Sequence, residues 1–135
     1  GDVVDPDNPK IVTTEAERRV LALVQAILDG KAEESEIVGK DTESYYSVCY
    51  QGKNNRWLLR YHGDRATPYV SFNIPMTLER TKQAARAGLV VQPNNTIALV
   101  KPEHLMKLSN VLFDALEFCK NDENFKRKGN GEEPA

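Results

Sequence analysis

The chain is poor in the residues that build covalent or metal frameworks. Of 135 residues only two are cysteine, two are histidine and one is tryptophan. Cys49 sits in a strand-like run and Cys119 on the apolar side of a helix-like run, the places of small hydrophobes, so a disulfide framework is not expected. With so few Cys and His, no zinc site of usual spacing can be drawn, and no metal or cofactor is predicted. No apolar run approaches the roughly 20 residues that span a bilayer. The acidic start "GDVVDPDNPK" has neither the basic opening nor the apolar core of a signal peptide. These absences predict a soluble, cytoplasmic protein with no membrane partner. There is also no Walker-type or GxGxxG phosphate loop, since "GKNNR" lacks both the spacing and the following helix.

What is present fits one globular domain, with 40% hydrophobic and 28% charged residues. The net charge of −2 conceals an uneven distribution. Residues 1–50 carry 5 basic and 11 acidic side chains, residues 51–90 carry 7 and 2, and residues 91–135 carry 6 and 7. The middle is a basic island in an acidic chain, a weak pointer to an anionic partner.

The Pro/Asp-rich residues 1–12 read as an extended linker, residues 13–120 as a single domain, and the polar residues 121–135 as a disordered tail. "TEAERRVLALVQAILDG" opens with a capping box, Thr14 with Glu17, and carries Val20, Leu23, Val24, Ile27 and Leu28 at helical spacing until Gly30, which predicts a helix over 14–29. A short strand is expected around Glu36–Lys40. Strands are expected near 45–50, 56–62 and 68–74, joined by "QGKNN" and "GDRATP". "TLERTKQAARAG" suggests a helix capped at Thr77 and stopped at Gly88, and "LVVQPNNTIALV" two short strands about a turn. "KPEHLMKLSNVLFDALEFCK" places Leu105, Leu108, Val111, Leu112, Ala115, Leu116 and Cys119 on one helical stripe. Two amphipathic helices and a meander with one apolar face predict an α+β two-layer sandwich: an antiparallel β-meander with long N- and C-terminal helices packed on one face.

Strict alternation along "YYSVCYQGKNNRWLLRYH" puts Tyr46, Val48, Tyr50, Trp57, Leu59 and Tyr61 on the covered side. Tyr45, Ser47, Cys49, Arg56, Leu58, Arg60 and His62 fall on the open side. Aromatics interleaved with arginine on an uncovered sheet are what base stacking and phosphate contact require. The candidate nucleic-acid-binding set is therefore Tyr45, Lys53, Arg56, Arg60, His62, Arg65 and Tyr69, with Arg80, Lys82 and Arg86 as possible extensions. Arg and Tyr are equally ordinary as cross-strand neighbours on a wet sheet face, and that alternative stands. No catalytic residue is assigned. Asp41 with Gln51, Gly52 and Lys53 imitates the metal-binding pattern of PD-(D/E)xK nucleases, but the second half lies in a hairpin tip whose side chains would splay into water. His62 and His104 lack an oriented nucleophile partner.

The runs "IVTTEAERRVLALVQAIL", "SEIVGKDTESYYSVCY" and "NNRWLLRYH" add a further pointer. Over residues 11–72 the chain resembles the C-terminal module of bacterial type I restriction enzyme R (restriction-subunit-like) proteins, in which a "TTEEE" helix precedes a "RDT-SYF" strand and an "NNRKWICRL-F" strand. The residues that carry the likeness are Asp41, Thr42, Ser44, Tyr45, Arg56 and Arg60. The resemblance implies an accessory domain of a DNA-processing protein, with a nuclease-like upstream domain of the same polypeptide as partner and DNA as a possible ligand. The hairpin "QGKNN" departs from the acidic hairpin of the family, and the chain shows neither helicase motifs nor a nuclease triad. Cleavage is therefore not expected of it. A protein-docking module and a diverged metal-dependent nuclease remain as alternatives.

Overall fold

The computed structural model describes residues 1–126. Helix α1 (Glu15–Ile27) forms where the sequence signals it: the Thr14 hydroxyl accepts from the Glu17 N–H, and the Glu17 carboxylate accepts from the Thr14 N–H. That reciprocal pair satisfies two of the otherwise unbonded donors of the first turn. Its apolar stripe of Val20, Val24 and Leu28 is fully buried.

Eight strands follow or precede it. β1 (Val3–Val4) and β2 (Val12–Thr13) make a two-stranded antiparallel hairpin. The main sheet holds β3 (Ile37–Asp41), β4 (Tyr46–Tyr50), β5 (Trp57–His62), β6 (Tyr69–Phe72), β7 (Val91–Gln92) and β8 (Thr96–Ala98). Its spatial order is β3-β4-β5-β6-β8-β7, antiparallel throughout. Helix α2 (Leu78–Arg86) is capped by the Thr77 hydroxyl, and Gly88 leaves it at φ +85°, a conformation that favours glycine. Helix α3 (Ser109–Lys120) is preceded by a 3-10 stretch, Pro102–Leu108, so the single C-terminal helix expected from Pro102 is two segments.

Helices α1 and α3 both pack on one side of the sheet, where Leu112 and Leu116 join Val20, Val24, Val48, Leu59 and Val70 in one core. The fold is the α+β sandwich that the alternation of elements predicts, with a six-stranded open sheet.

Two terminal expectations are corrected. Residues 1–12 are not an extended linker: Asp5 N–H donates to the Ile11 carbonyl, and the Asp5 carboxylate gathers the N–H groups of Asp7 and Asn8 into a turn between β1 and β2. The tail is ordered at its start, because Asp122–Phe125 form a 3-10 turn and Phe125 packs edge-on against Phe118 at 5.4 Å. The remainder of the expected disordered tail, 127–135, lies outside the described residues.

The decisive local feature is a bulge between β4 and β5. Val48 pairs with Leu59 but Cys49 pairs with Trp57, which leaves Leu58 as the extra residue. An inserted residue reverses the side-chain parity of everything on one side of it. Leu58 therefore joins Leu59 in the core, both at 0% exposure, and Trp57 turns to the open face.

Candidate functional site

With the bulge in place, register alone defines the open face. It carries Val38 and Lys40 from β3, Ser47 and Cys49 from β4, Trp57, Arg60 and His62 from β5, and Tyr69 and Ser71 from β6. Thr96 and Ala98 of β8 and Gln92 of β7 extend it. None of these positions is a carboxylate.

The side chains at its centre stack on one another. The Arg60 guanidinium lies over the Trp57 ring at 4.1 Å and over the Tyr45 ring at 4.8 Å. Tyr45 approaches His62 at 5.6 Å and 45°, and His62 is stacked nearly parallel on Tyr69 at 4.4 Å and 14°. Trp57, Arg60, Tyr45, His62 and Tyr69 form a continuous cation-aromatic ladder, each member half-buried. Both nitrogen atoms left without a hydrogen bond in buried positions belong to it: Arg60 Nε and His62 Nδ1, among the described residues. Burial, then the charges of Arg65 and Arg60, hold the His62 pKa below its ordinary value, which favours the neutral ring. Cys49 projects to this side but is 1% exposed, and burial pushes its thiol pKa up, which leaves it a packing residue.

The β3–β4 turn delivers Tyr45 to the ladder. The Thr42 hydroxyl accepts from the N–H groups of Ser44 and Tyr45 and donates to the Tyr45 carbonyl at 2.8 Å, while Thr42 N–H donates to the same carbonyl. Asp41 accepts from the Thr13 hydroxyl at 2.6 Å and so ties the N-terminal hairpin to β3. Asp41, Thr42 and Ser44, three of the six residues on which the expected resemblance rests, thus serve the turn and its tie to the N-terminal hairpin.

Of the candidate nucleic-acid set, Tyr45, Arg60, His62 and Tyr69 come together on the open face. Arg65 is exposed in the loop beyond His62, its guanidinium donating to the Asp64 carbonyl. Lys53 is exposed at the tip of the β4–β5 hairpin, where Gln51 and Gly52 both take positive φ.

Arg56 is a correction. It is 9% exposed and points to the helical side. Its guanidinium donates to the Cys119 carbonyl at 3.0 Å, pairs with Asp122 at 2.8 Å and covers the Phe125 ring at 4.5 Å. The parity flip at the bulge put it there, where it caps the negative end of α3. It offers nothing to a ligand on the open face. Trp57 is the converse: strict alternation assigned it to the core, and the structure makes it one end of the ladder. Lys40 and Ser71 also belong to the face and were missing from the candidate set. Lys40 could have been found by the same alternation applied to β3, and its ammonium group reaches Asn54 at 2.9 Å.

Other chemistry finds no assembled site. Asp41 pairs with Tyr46 at one end of β4 while Gln51 and Lys53 lie past the other end. Five residues of strand separate them, about 17 Å, so the nuclease-like pattern does not converge. Gln51 is instead bonded to Glu36 at 3.1 Å. Among the described residues no group of three or more His, Cys, Asp or Glu side chains is placed to hold a metal ion. None of their helices is long and apolar enough to cross a membrane. Arg80 pairs with Asp114 of α3 at 2.9 Å and is committed to holding α2 on the helical layer.

Set against protein-family models, curated proteins and solved structures, the chain matches none of them.

Proposed function

We propose that this chain is a non-catalytic binding module that takes single-stranded nucleic acid on its open sheet face, as an accessory domain of a restriction-type DNA-processing protein. The observation that carries the reading is the ladder of Trp57, Arg60, Tyr45, His62 and Tyr69 on a face without a carboxylate. Trp57 and Tyr69 are the two ends of the ladder, the places at which an incoming base would extend the stack. Stacking of this kind contributes about 1–3 kcal/mol per base and tolerates any sequence. Lys40 on the face and Arg65 beside it supply cations for the phosphates. Stacked side chains need unstacked bases, which favours a single strand over a duplex. The likeness to restriction-subunit proteins supplies the DNA-processing context.

The chain has one tryptophan, and it is a rung of the ladder. Its fluorescence therefore reads the face directly. Titration with a labelled single-stranded oligonucleotide at low salt should quench Trp57 and raise the anisotropy of the label. Tyr69→Ala and Arg60→Ala should each weaken binding by about tenfold or more. Affinity should fall steeply as salt rises. Absence of binding, or binding indifferent to both substitutions, would overturn the reading.

A second reading is that the face docks on another part of the same polypeptide. It is favoured by the half-buried apolar position Val38 on the same face, which a nucleic-acid strand does not need. It predicts that the chain ignores oligonucleotides while Trp57 emission shifts on adding the upstream domain.

A further inference from the structure

The stack on the open face ends at Tyr69, and the strand register fixes what lies past it. His62 and Tyr69 are direct cross-strand partners whose rings are 4.4 Å apart. That separation is close to the strand spacing of about 4.8 Å. The stack therefore runs across the sheet, and the outer face of Tyr69 is turned to β8. Opposite Tyr69 on β8 is Ala98, whose methyl group cannot cover a ring. Ala98 N–H donates in turn to the Val90 carbonyl at 2.9 Å, so Val90, 62% exposed, is the next position in the same row.

Tyr69 and Val90 thus stand two strand spacings apart, roughly 9.6 Å, with only an alanine between them. A flat ring touching both walls needs two van der Waals separations, about 7–8 Å. The gap holds one planar group. Two residues along the same strands, about 6.6 Å away, Thr96 and Gln92 face each other across β8 and β7. The Thr96 hydroxyl donates to Gln92 Oε1 at 3.2 Å, which orients the amide. Oε1 still accepts a second bond and the amide nitrogen still donates. A donor held beside an acceptor in this way matches the N7 and N6–H2 edge of adenine bidentately. Tyr69, Ala98, Val90, Thr96 and Gln92 are all uncharged, so the slot suits a neutral ring and not an ion.

We propose that this slot takes one adenine base of the bound strand, stacked on Tyr69 and against Val90, with Gln92 pairing to its N6–H2 and N7 edge. The inference rests on single-strand binding at the open face. It adds one position at which the base is read to a ladder that is itself indifferent to sequence.

Trp57 lies on β5, three strands from β7, so its emission reads occupancy of the face without touching the slot. The whole chain is titrated with a short oligothymidylate, with the same strand carrying one central adenine, and with 7-deazaadenine at that place. The adenine strand should bind at least about fivefold tighter than oligothymidylate. 7-Deazaadenine keeps the stacking face and lacks only the N7 acceptor, so it should lose most of that gain. Gln92→Met keeps the length of the side chain without its polar groups and should lose most of it too. If the strands quench Trp57 but adenine gains nothing, or keeps its gain as 7-deazaadenine or in Gln92→Met, the slot is overturned while the single-strand reading stands. If no strand binds, both fall.

Discussion

Two arginines four positions apart, Arg56 and Arg60, have opposite duties. Arg60 is a rung of the exposed ladder, whereas Arg56 is enclosed by the Cys119 carbonyl, Asp122 and the Phe125 ring. Removing Arg56 leaves a carbonyl and a carboxylate without their donor. Arg56→Ala should therefore cost on the order of 2–3 kcal/mol in chemical denaturation and leave the open face intact. Arg56→Lys should recover only part of that loss, since one ammonium group cannot span the carbonyl and the carboxylate as the guanidinium fork does. Titratable residues make a second test. The His62 pKa is lowered from its ordinary value in the folded chain, mainly through burial and then through Arg65 and Arg60. As pH falls below 6.5 the unfolded chain takes up a proton that the folded chain refuses, so His62 withdraws stability. Glu17 and Asp41 act oppositely: their raised values mean that the folded state protonates first, and stability returns as pH falls through those values. Melting temperatures against pH should show the first decline flattened in His62→Gln and the later gain flattened in Glu17→Gln.

At the scale of the element, what the sequence made legible depended on how local the determinants were. α1 was readable because Thr14, Glu17 and a helical stripe lie within a few turns of one another, and all three are seen. β4 and β6 were readable because their alternation is unbroken, and β3 only as a short strand whose faces were not assigned. β5 was half readable: Arg60 and His62 lie beyond the bulge and keep their expected side, while Trp57, Leu58 and Arg56 lie before it and exchange sides. No pattern within the strand announces the shift, because it is set by how "QGKNN" closes the hairpin, with Gln51 and Gly52 in positive φ and Lys53 N–H returning to the Tyr50 carbonyl. The candidate site was legible to the same extent. Four of its ring and guanidinium groups were found by alternation, and Trp57 was missed by one residue of slip. The acidic opening lined by Glu17 and Asp41 was not legible at all, since Glu17 read as a helix cap and Asp41 as a residue just past the expected strand, and only the hairpin of β1 and β2 completes it.

Across the whole molecule the two layers divide the labour. Helices α1 and α3 and the 3-10 stretch supply the apolar mass, which leaves the opposite face of the sheet free of structural obligations other than its own stacking. The chain's uneven charge finds its place in the same division: acidic side chains of the N-terminal part gather at the acidic opening, and the open face keeps Lys40 and Arg60. The short turn that follows α3 has a practical effect on where the chain can be shortened. A protein trimmed after Lys120, where composition alone would set the boundary, loses Asp122 and Phe125 and leaves the Arg56 guanidinium with only the Cys119 carbonyl. One trimmed after Lys126 keeps both. The shorter product should melt several degrees lower than the longer one and yield its α3 amides to hydrogen exchange much sooner.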